Sequence, residues 1–289
     1  MSTVNGLPVN AGPINGAPAQ IGNAVVISPS LDRSLLEFPL THARIGYVNY
    51  TPDGTVTASS EQAGFEADSV QNTMTYERWA PVSLPADIVI DMGVTRSINY
   101  IGLASHSMGT QGVTIVASYS EDGVTYTSLD VNASPQSDMS MMLLFTETAA
   151  RYVKLAFTGD VFSLGVIYVG KTLDMYRALY SSHTPDSMGR TTTLKPNTSV
   201  GGAFLGRSKL RQGYSNKYEW DKTPVDWYKD NVEPFSVAAL DDPFFIAWNA
   251  DEHPEDCLYC WCNDDISPEL SGVLNFVSFS FSVEGIGHD

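Results

Sequence analysis

The chain has 289 residues, 43% of them apolar and 11% aromatic, enough to bury one large core or two ordinary ones. With 33 acidic and 16 basic side chains it carries a formal charge of −17, which opposes binding to a nucleic-acid backbone or an anionic membrane surface. The sequence has no long apolar run and no basic segment ahead of an apolar one, so neither membrane insertion nor a secretory leader is expected, and 3 cysteines do not make a disulfide framework.

Residues 1–24 hold no charged side chain, and Asn5-Gly6-Leu7-Pro8 recurs as Asn15-Gly16-Ala17-Pro18. Asn-Gly and Pro exclude a helix there. The segment reads either as a plain tail or as an extended arm on a neighbouring subunit, and the spaced Leu7, Val9, Ile14 and Ile21 favour the arm. From Ala24 to about Tyr176 the pattern is short β-branched or alternating runs: Val25–Ile27, Ala43–Tyr47, Thr55–Ala58, Asp87–Asp91, Ile98–Ala104, Val113–Ser120, Met141–Phe145, Arg151–Phe157 and Val166–Gly170. Many strands with turn residues between them predict a β-sandwich. Glu121-Asp122-Gly123 predicts a hairpin with Gly at the positive φ.

The last third differs. Thr223, Pro224 and Asp226 mark a helix start, with the helix running to about Leu240 and a kink or break at Pro234. Pro243–Trp248 and Leu258–Cys262 read as strands, and Phe276–Val283 alternates so that Val277, Phe279, Phe281 and Val283 share one face. The fold class expected is therefore mainly β: an arm and lead-in strand over 1–40, a β-sandwich over 41–176, and a smaller α+β domain over 177–289.

Five motifs in order carry a resemblance. They are Thr55–Ser60; Ala67–Asn72 followed by Arg78-Trp79; Ala86–Gly93; Tyr119-Ser120-Glu121-Asp122-Gly123; and Ala150–Leu155. Residues 41–175 on these motifs resemble the galactose-binding-like, or discoidin-like, jelly-roll family, which implies the fold and leaves function open. The whole chain is similar to tailed-bacteriophage tail-tip or baseplate proteins of the distal-tail type. This rests on the Asn-Gly-Pro arm, Leu173–Arg177, Phe204–Ser208, Pro243–Trp248 and Ser278–Gly285. The resemblance implies a virion protein assembled in the host cytoplasm, a tail-tube-like second domain, and a homo-oligomeric ring, six-fold first and three-fold second. It also implies contacts with other phage tail proteins. The jelly roll preceding most of the tube-like part departs from the familiar order.

Candidate sites are few. Tyr76, His106 and Tyr126 are aromatic or polar groups suited to a carbohydrate, the alternative reading being attachment to host surface glycans. His253, Cys257, Cys260 and Cys262 could hold zinc or part of an iron–sulfur site. However, alternation puts Cys260 and Cys262 on one strand face and Cys257 apart, so buried small hydrophobes are the competing reading. Glu61, Glu66, Asp68 and Asp91 are loop carboxylates that either cap turns or bind calcium. No nucleophile motif, P-loop or zinc-protease helix occurs, so neither an enzyme nor a cofactor is expected.

Overall fold

The computed structural model describes residues 20–21, 24–180, 184–186, 188–270, 272 and 275–286; most of the expected arm lies outside these. The chain runs β1 (Gln20–Ile21), β2 (Val25–Ile27), β3 (Arg44–Gly46), β4 (Thr55–Ala58), β5 (Ala86–His106), β6 (Thr114–Ser120), β7 (Thr127–Ser134), β8 (Met141–Thr158), β9 (Leu164–Gly170) and β10 (Leu173–Asp174). It continues through β11 (Arg190–Thr198), β12 (Phe204–Pro224), a helix over 225–241, β13 (Phe244–Ala247), β14 (Leu258–Cys262), β15 (Glu269–Leu270) and β16 (Phe276–Ile286). No helix among the described residues is long and apolar enough to cross a membrane.

The first set of strands has the order β1-β7-β6-β8-β5-β4, with β2 beside β8 and β9 beside β5. Its two long strands were each expected as two short ones. β5 stays continuous through a break in its ladder after Asp91, where Gly93 takes φ +74°, a bulge position open to glycine. A second register shift, between Ile98 and Tyr100, changes the phase of alternation. Ile88 and Ile90 face the sandwich core before it, and Ile101 and Leu103 after it. Trp79 is fully buried there against Phe157 and Phe162, its Nε1–H donating to the Ser60 carbonyl at 3.1 Å. The Asp122 turn forms as expected, although β7 begins only at Thr127; Asp122 accepts the Val124 and Thr125 amides, which hold its carboxyl down at about 2.

The second sheet has the order β10-β3-β13-β14-β16-β12-β11, with β15 on β16, all antiparallel. Two boundaries differ from the sequence expectation. Arg44–Gly46 pairs with β13 and β10, so the strand expected in the sandwich belongs to the second sheet. Val25–Ile27, expected as a lead-in, runs parallel to β8 inside the sandwich. Strands β4 to β9 of the sandwich are thus inserted between β3 and β10, while β1 and β2 join it from ahead of β3. Arg44, buried to 2% exposure, closes the insertion by pairing with Asp174 at 3.3 Å and donating to the Phe38 and Pro39 carbonyls.

The helix begins at Val225, with Pro224 rather than Thr223 in the cap position. Pro234 does not break it. A π-helical turn over Tyr228–Val232, closed by the Glu233 amide on the Tyr228 carbonyl, precedes the proline. The proline therefore enters near the start of the following α-helical stretch, Glu233–Asp241, where a missing N–H costs little. The β11–β12 hairpin had no counterpart in the sequence reading.

β13 joins the two modules by alternation. Phe244 and Ile246 pack on the helix side with Val232, Phe235 and Ala239, while Phe245 and Ala247 face the sandwich with Tyr100, Tyr168 and Tyr259. Phe245 lies 4.8 Å from the Tyr259 ring and 5.3 Å from that of Tyr168. The three tyrosine hydroxyls donate to carbonyls of the opposite module or its linkers: Tyr100 to Val48 at 2.7 Å, Tyr168 to Pro243 at 2.8 Å and Tyr259 to Thr73 at 2.7 Å. Gly102 lets the sheets meet, since a Cβ there would sit 2.6 Å from the Phe245 ring. Phe245→Ala is expected to lower unfolding free energy by about 3–5 kcal/mol, and Gly102→Ala to lower the melting temperature by forcing that ring aside; denaturant and thermal unfolding measure both.

Candidate functional site

The loop end of the sandwich meets the second sheet in a cleft of about 240 Å³. The sandwich supplies Thr75, Arg78, Ser105 and His106; the second sheet supplies Arg211 and Gln212 from β12, Trp261 from β14, and Gly285 and Ile286 from β16. Strand alternation sends Tyr259 into the seam and brings Trp261, two residues on, to the cleft. Arg211 stacks over the Trp261 ring at 5.8 Å and pairs with Glu284 at 2.9 Å, contacts that hold both side chains in place. Ser105, at the end of β5, takes φ +55°, an unfavourable region for a non-glycine residue. Its hydroxyl donates to the Thr75 carbonyl at 2.7 Å. Arg78 reaches Ser163 Oγ at 3.4 Å and remains exposed.

The cleft therefore offers an aromatic face, two guanidinium groups, a side-chain amide and a buried imidazole. Among the described residues its lining has no carboxylate; Glu284, outside the lining, pairs with Arg211. Such a site suits a small polar ligand with one flat apolar face and an anionic group.

The three expected carbohydrate residues do not come together. His106 lines the cleft, 3% exposed, its Nδ1 accepting from the Met108 amide at 3.4 Å. Tyr76 is 73% exposed beside Thr75 but does not line the cleft, and Tyr126 lies over Lys154 at 5.5 Å, outside it. Arg78, Arg211, Gln212 and Trp261 were not singled out. Trp261 was visible only as an alternation partner of the cysteines, and Arg211 sits in a hairpin whose sequence shows no burial pattern.

The cysteine cluster is divided by its strand. Cys260 packs in the helix-side core with Cys262 against it, and Cys257 faces the sandwich. His253 stacks on Trp248 at 4.5 Å, and its neighbours are acids. The ligand atoms of His253, Glu255 and Asp256 lie within 4.8 Å of one another, with no cysteine among them. Asp256 also accepts from Trp248 Nε1 at 2.9 Å. The four residues His253, Cys257, Cys260 and Cys262 are thus not gathered into one ligand set. Burial pushes all three thiols up, Cys262 to about 11. Native-state alkylation near neutral pH is expected to leave Cys257 and Cys260 unmodified and to label Cys262 slowly, with three adducts per chain after denaturation, read by mass spectrometry.

The loop carboxylates cap turns. Glu61 accepts the Ala67 amide at 3.1 Å, Glu66 the Gly64 amide at 2.8 Å, and Asp91 the Gly93 amide at 2.9 Å with Arg151 bidentate on its two oxygens. Asp68 is exposed in the first turn of a short 3₁₀ helix. A carboxyl the sequence reading passed over is Asp186, fully buried and accepting from Tyr218 Oη at 2.5 Å and from Asn216. Burial raises it from its ordinary 3.8 to about 7. The folded chain keeps this proton where the unfolded chain has released it. Its contribution to stability is therefore complete below the unfolded value and is lost as pH climbs through about 7. Asp186→Asn is expected to flatten the fall in stability between pH 4.5 and 7.5, compared by urea unfolding.

Comparison with known proteins gives structural likeness only. No family model matches the chain, and no curated protein does. Among solved structures, the module CpGH89CBM32-5 from Clostridium perfringens, in complex with GalNAc-β-1,3-galactose, is 22% identical over 43% of this chain and 99% of its own, with TM-score 0.39. Chitosan-binding module 1 from the chitosanase/glucanase of Paenibacillus sp. IK-5 is 25% identical over 42% of this chain and 98% of its own, with TM-score 0.37. The CBM32 of AlyQ, in complex with 4,5-unsaturated mannuronic acid, is 22% identical over 40% of this chain and 92% of its own, with TM-score 0.35.

Proposed function

We propose that the chain is a non-catalytic carbohydrate-binding protein and that its ligand, a sugar bearing a carboxylate, sits in the cleft between the sandwich and the second sheet. The observation that carries this reading is the convergence of Trp261, Arg211 and Arg78 in one cleft at the loop end of the sandwich. An aromatic face accepts the C–H face of a pyranose, and the guanidinium groups favour a uronic or sialic acid over a neutral hexose. His106 and Gln212 add hydrogen-bonding groups. The motifs for nucleophilic catalysis that the sequence lacks are in keeping with binding rather than turnover.

A second reading, a structural subunit of a phage tail tip or baseplate linking the tail tube to tip or fibre proteins, is favoured by the insertion topology. The second sheet is continuous through β3 and β10, so it serves as the frame and the sandwich decorates it. In this reading the frame corresponds to the tail-tube-like domain, homo-oligomerises as a ring, and carries the glycan-binding cleft on the virion. The two readings are compatible.

A glycan array carrying neutral and acidic sugars, followed by calorimetry with galacturonate oligosaccharides, N-acetylneuraminic acid and galactose, tests the first reading. Acidic glycans are expected to bind, with about tenfold or greater weakening in Trp261→Ala, equivalent to about 1.4 kcal/mol. Arg78→Ala is expected to erase the preference for acidic over neutral sugars. Wild-type protein that retains nothing on the array contradicts it.

A further inference from the structure

The β11–β12 hairpin projects from the frame with little of its own surface covered. Over 190–211 its side chains are almost all exposed, including Leu194 at 41%, Phe204 at 66%, Leu205 at 67% and Leu210 at 63%. β11 is the last strand of the sheet order, so among the described residues no strand neighbours its outer backbone edge. Edges of this kind are normally short, charged or covered.

Charge is segregated in the same place. Residues 190–211 hold 5 basic side chains and no acidic one, which leaves −22 on the rest of a chain whose total is −17. Beyond the irregularity before Gly206, Arg207 and Lys209 share a face of the hairpin with Leu194 and Phe204, and a second register shift at Leu210 sends Arg211 to the other face. A basic, apolar protrusion on a strongly acidic body is complementary to the body of another copy.

One surface of that body matches in both respects. The helix over 225–241 buries Val232, Phe235 and Ala239. Its regular turns turn outward Glu233, Val237, Leu240 and Asp241, which recur three or four residues apart. Val237 is 62% and Leu240 50% exposed. Asp226, Asp230 and Asp242 are exposed around them, with Lys229 the one cation of the segment. This is an apolar strip bordered by acids, as the hairpin is an apolar strip bordered by bases.

We infer that the 190–211 hairpin of one copy docks onto the Glu233–Asp241 helix face of a second copy, apolar strip on apolar strip with the basic and acidic borders paired. The inference deepens the frame-subunit reading and rests on it. The two patches differ, so the contact is head-to-tail, and repetition closes a ring or extends a filament. Arg211, which also lines the cleft, is left out of the test.

Two double variants of the full chain test the contact: Arg207→Glu/Lys209→Glu on the hairpin, and Glu233→Lys/Asp241→Lys on the helix. Mass photometry and sedimentation velocity read the oligomer at micromolar concentration, and the urea midpoint confirms folding. Wild type is expected to assemble. Each variant alone is expected to fall to monomer, with at least about a tenfold loss of affinity. A 1:1 mixture of the two is expected to assemble again, because reversed hairpin then meets reversed helix. If wild type assembles and the variants assemble as well, the hairpin–helix contact is overturned and self-association stands through another surface. If each variant is monomeric but their mixture does not recover, the pairing of these two patches is overturned. If wild type is monomeric, both the contact and the ring fall, and the cleft reading is untouched.

Discussion

The seam at Phe245 is the constraint on which the rest of the architecture depends. A single four-residue strand, fully buried, supplies core side chains to both faces of the second sheet. The helix-side core needs Phe244 and Ile246, and the sandwich-side core needs Phe245 and Ala247. Close approach is possible only because Gly102 offers no Cβ to the Phe245 ring and Gly46 none to the Tyr100 ring. Cavity formation at such a strand is felt by two cores at once. The tyrosine hydroxyls then set the register, since a buried phenol leaves an unmet donor if the modules slide.

From this seam the cleft follows. The residues that face one another across it come from elements far apart in sequence: Arg78 and His106 from the sandwich, Arg211 and Trp261 from the frame. The sandwich pair meets the frame pair only where Phe245, Tyr168 and Tyr259 close the junction. Within a chain of charge −17, the cleft gathers two guanidiniums, one of them paired with Glu284, and the carboxylate preference proposed for it would be a property of the junction more than of either module.

The sequence made some of this legible. Short-period strands survive in a single sequence when one face is buried, so Thr55–Ala58, Thr114–Ser120, Phe244–Ala247 and the Val277/Phe279/Phe281/Val283 face are visible without coordinates. What failed has physical reasons. Arg44–Gly46 looks like any other strand, because its assignment to the frame depends on a partner, Leu173–Asp174, about 130 residues away. β5 read as two strands because the Gly93 bulge imitates a turn. The 190–211 part of the β11–β12 hairpin was invisible because neither face is buried there, which removes the alternation that marks a strand. Of the cleft, only His106 was legible. Trp261 and the two arginines acquire meaning from a junction that local pattern does not encode.

The central claim is that the cleft at this junction recognises an acidic sugar through Trp261. The most direct measurement is an NMR titration of the five tryptophan indole N–H signals with galacturonate oligosaccharides and, separately, galactose. Trp79 and Trp220 are fully buried in different cores and serve as internal references. The account predicts a saturable shift of the Trp261 signal with the acidic sugar, weak or absent with galactose, while Trp79 and Trp220 stay fixed. No shift at Trp261, or a saturable shift confined to Trp227 or Trp248, would contradict it.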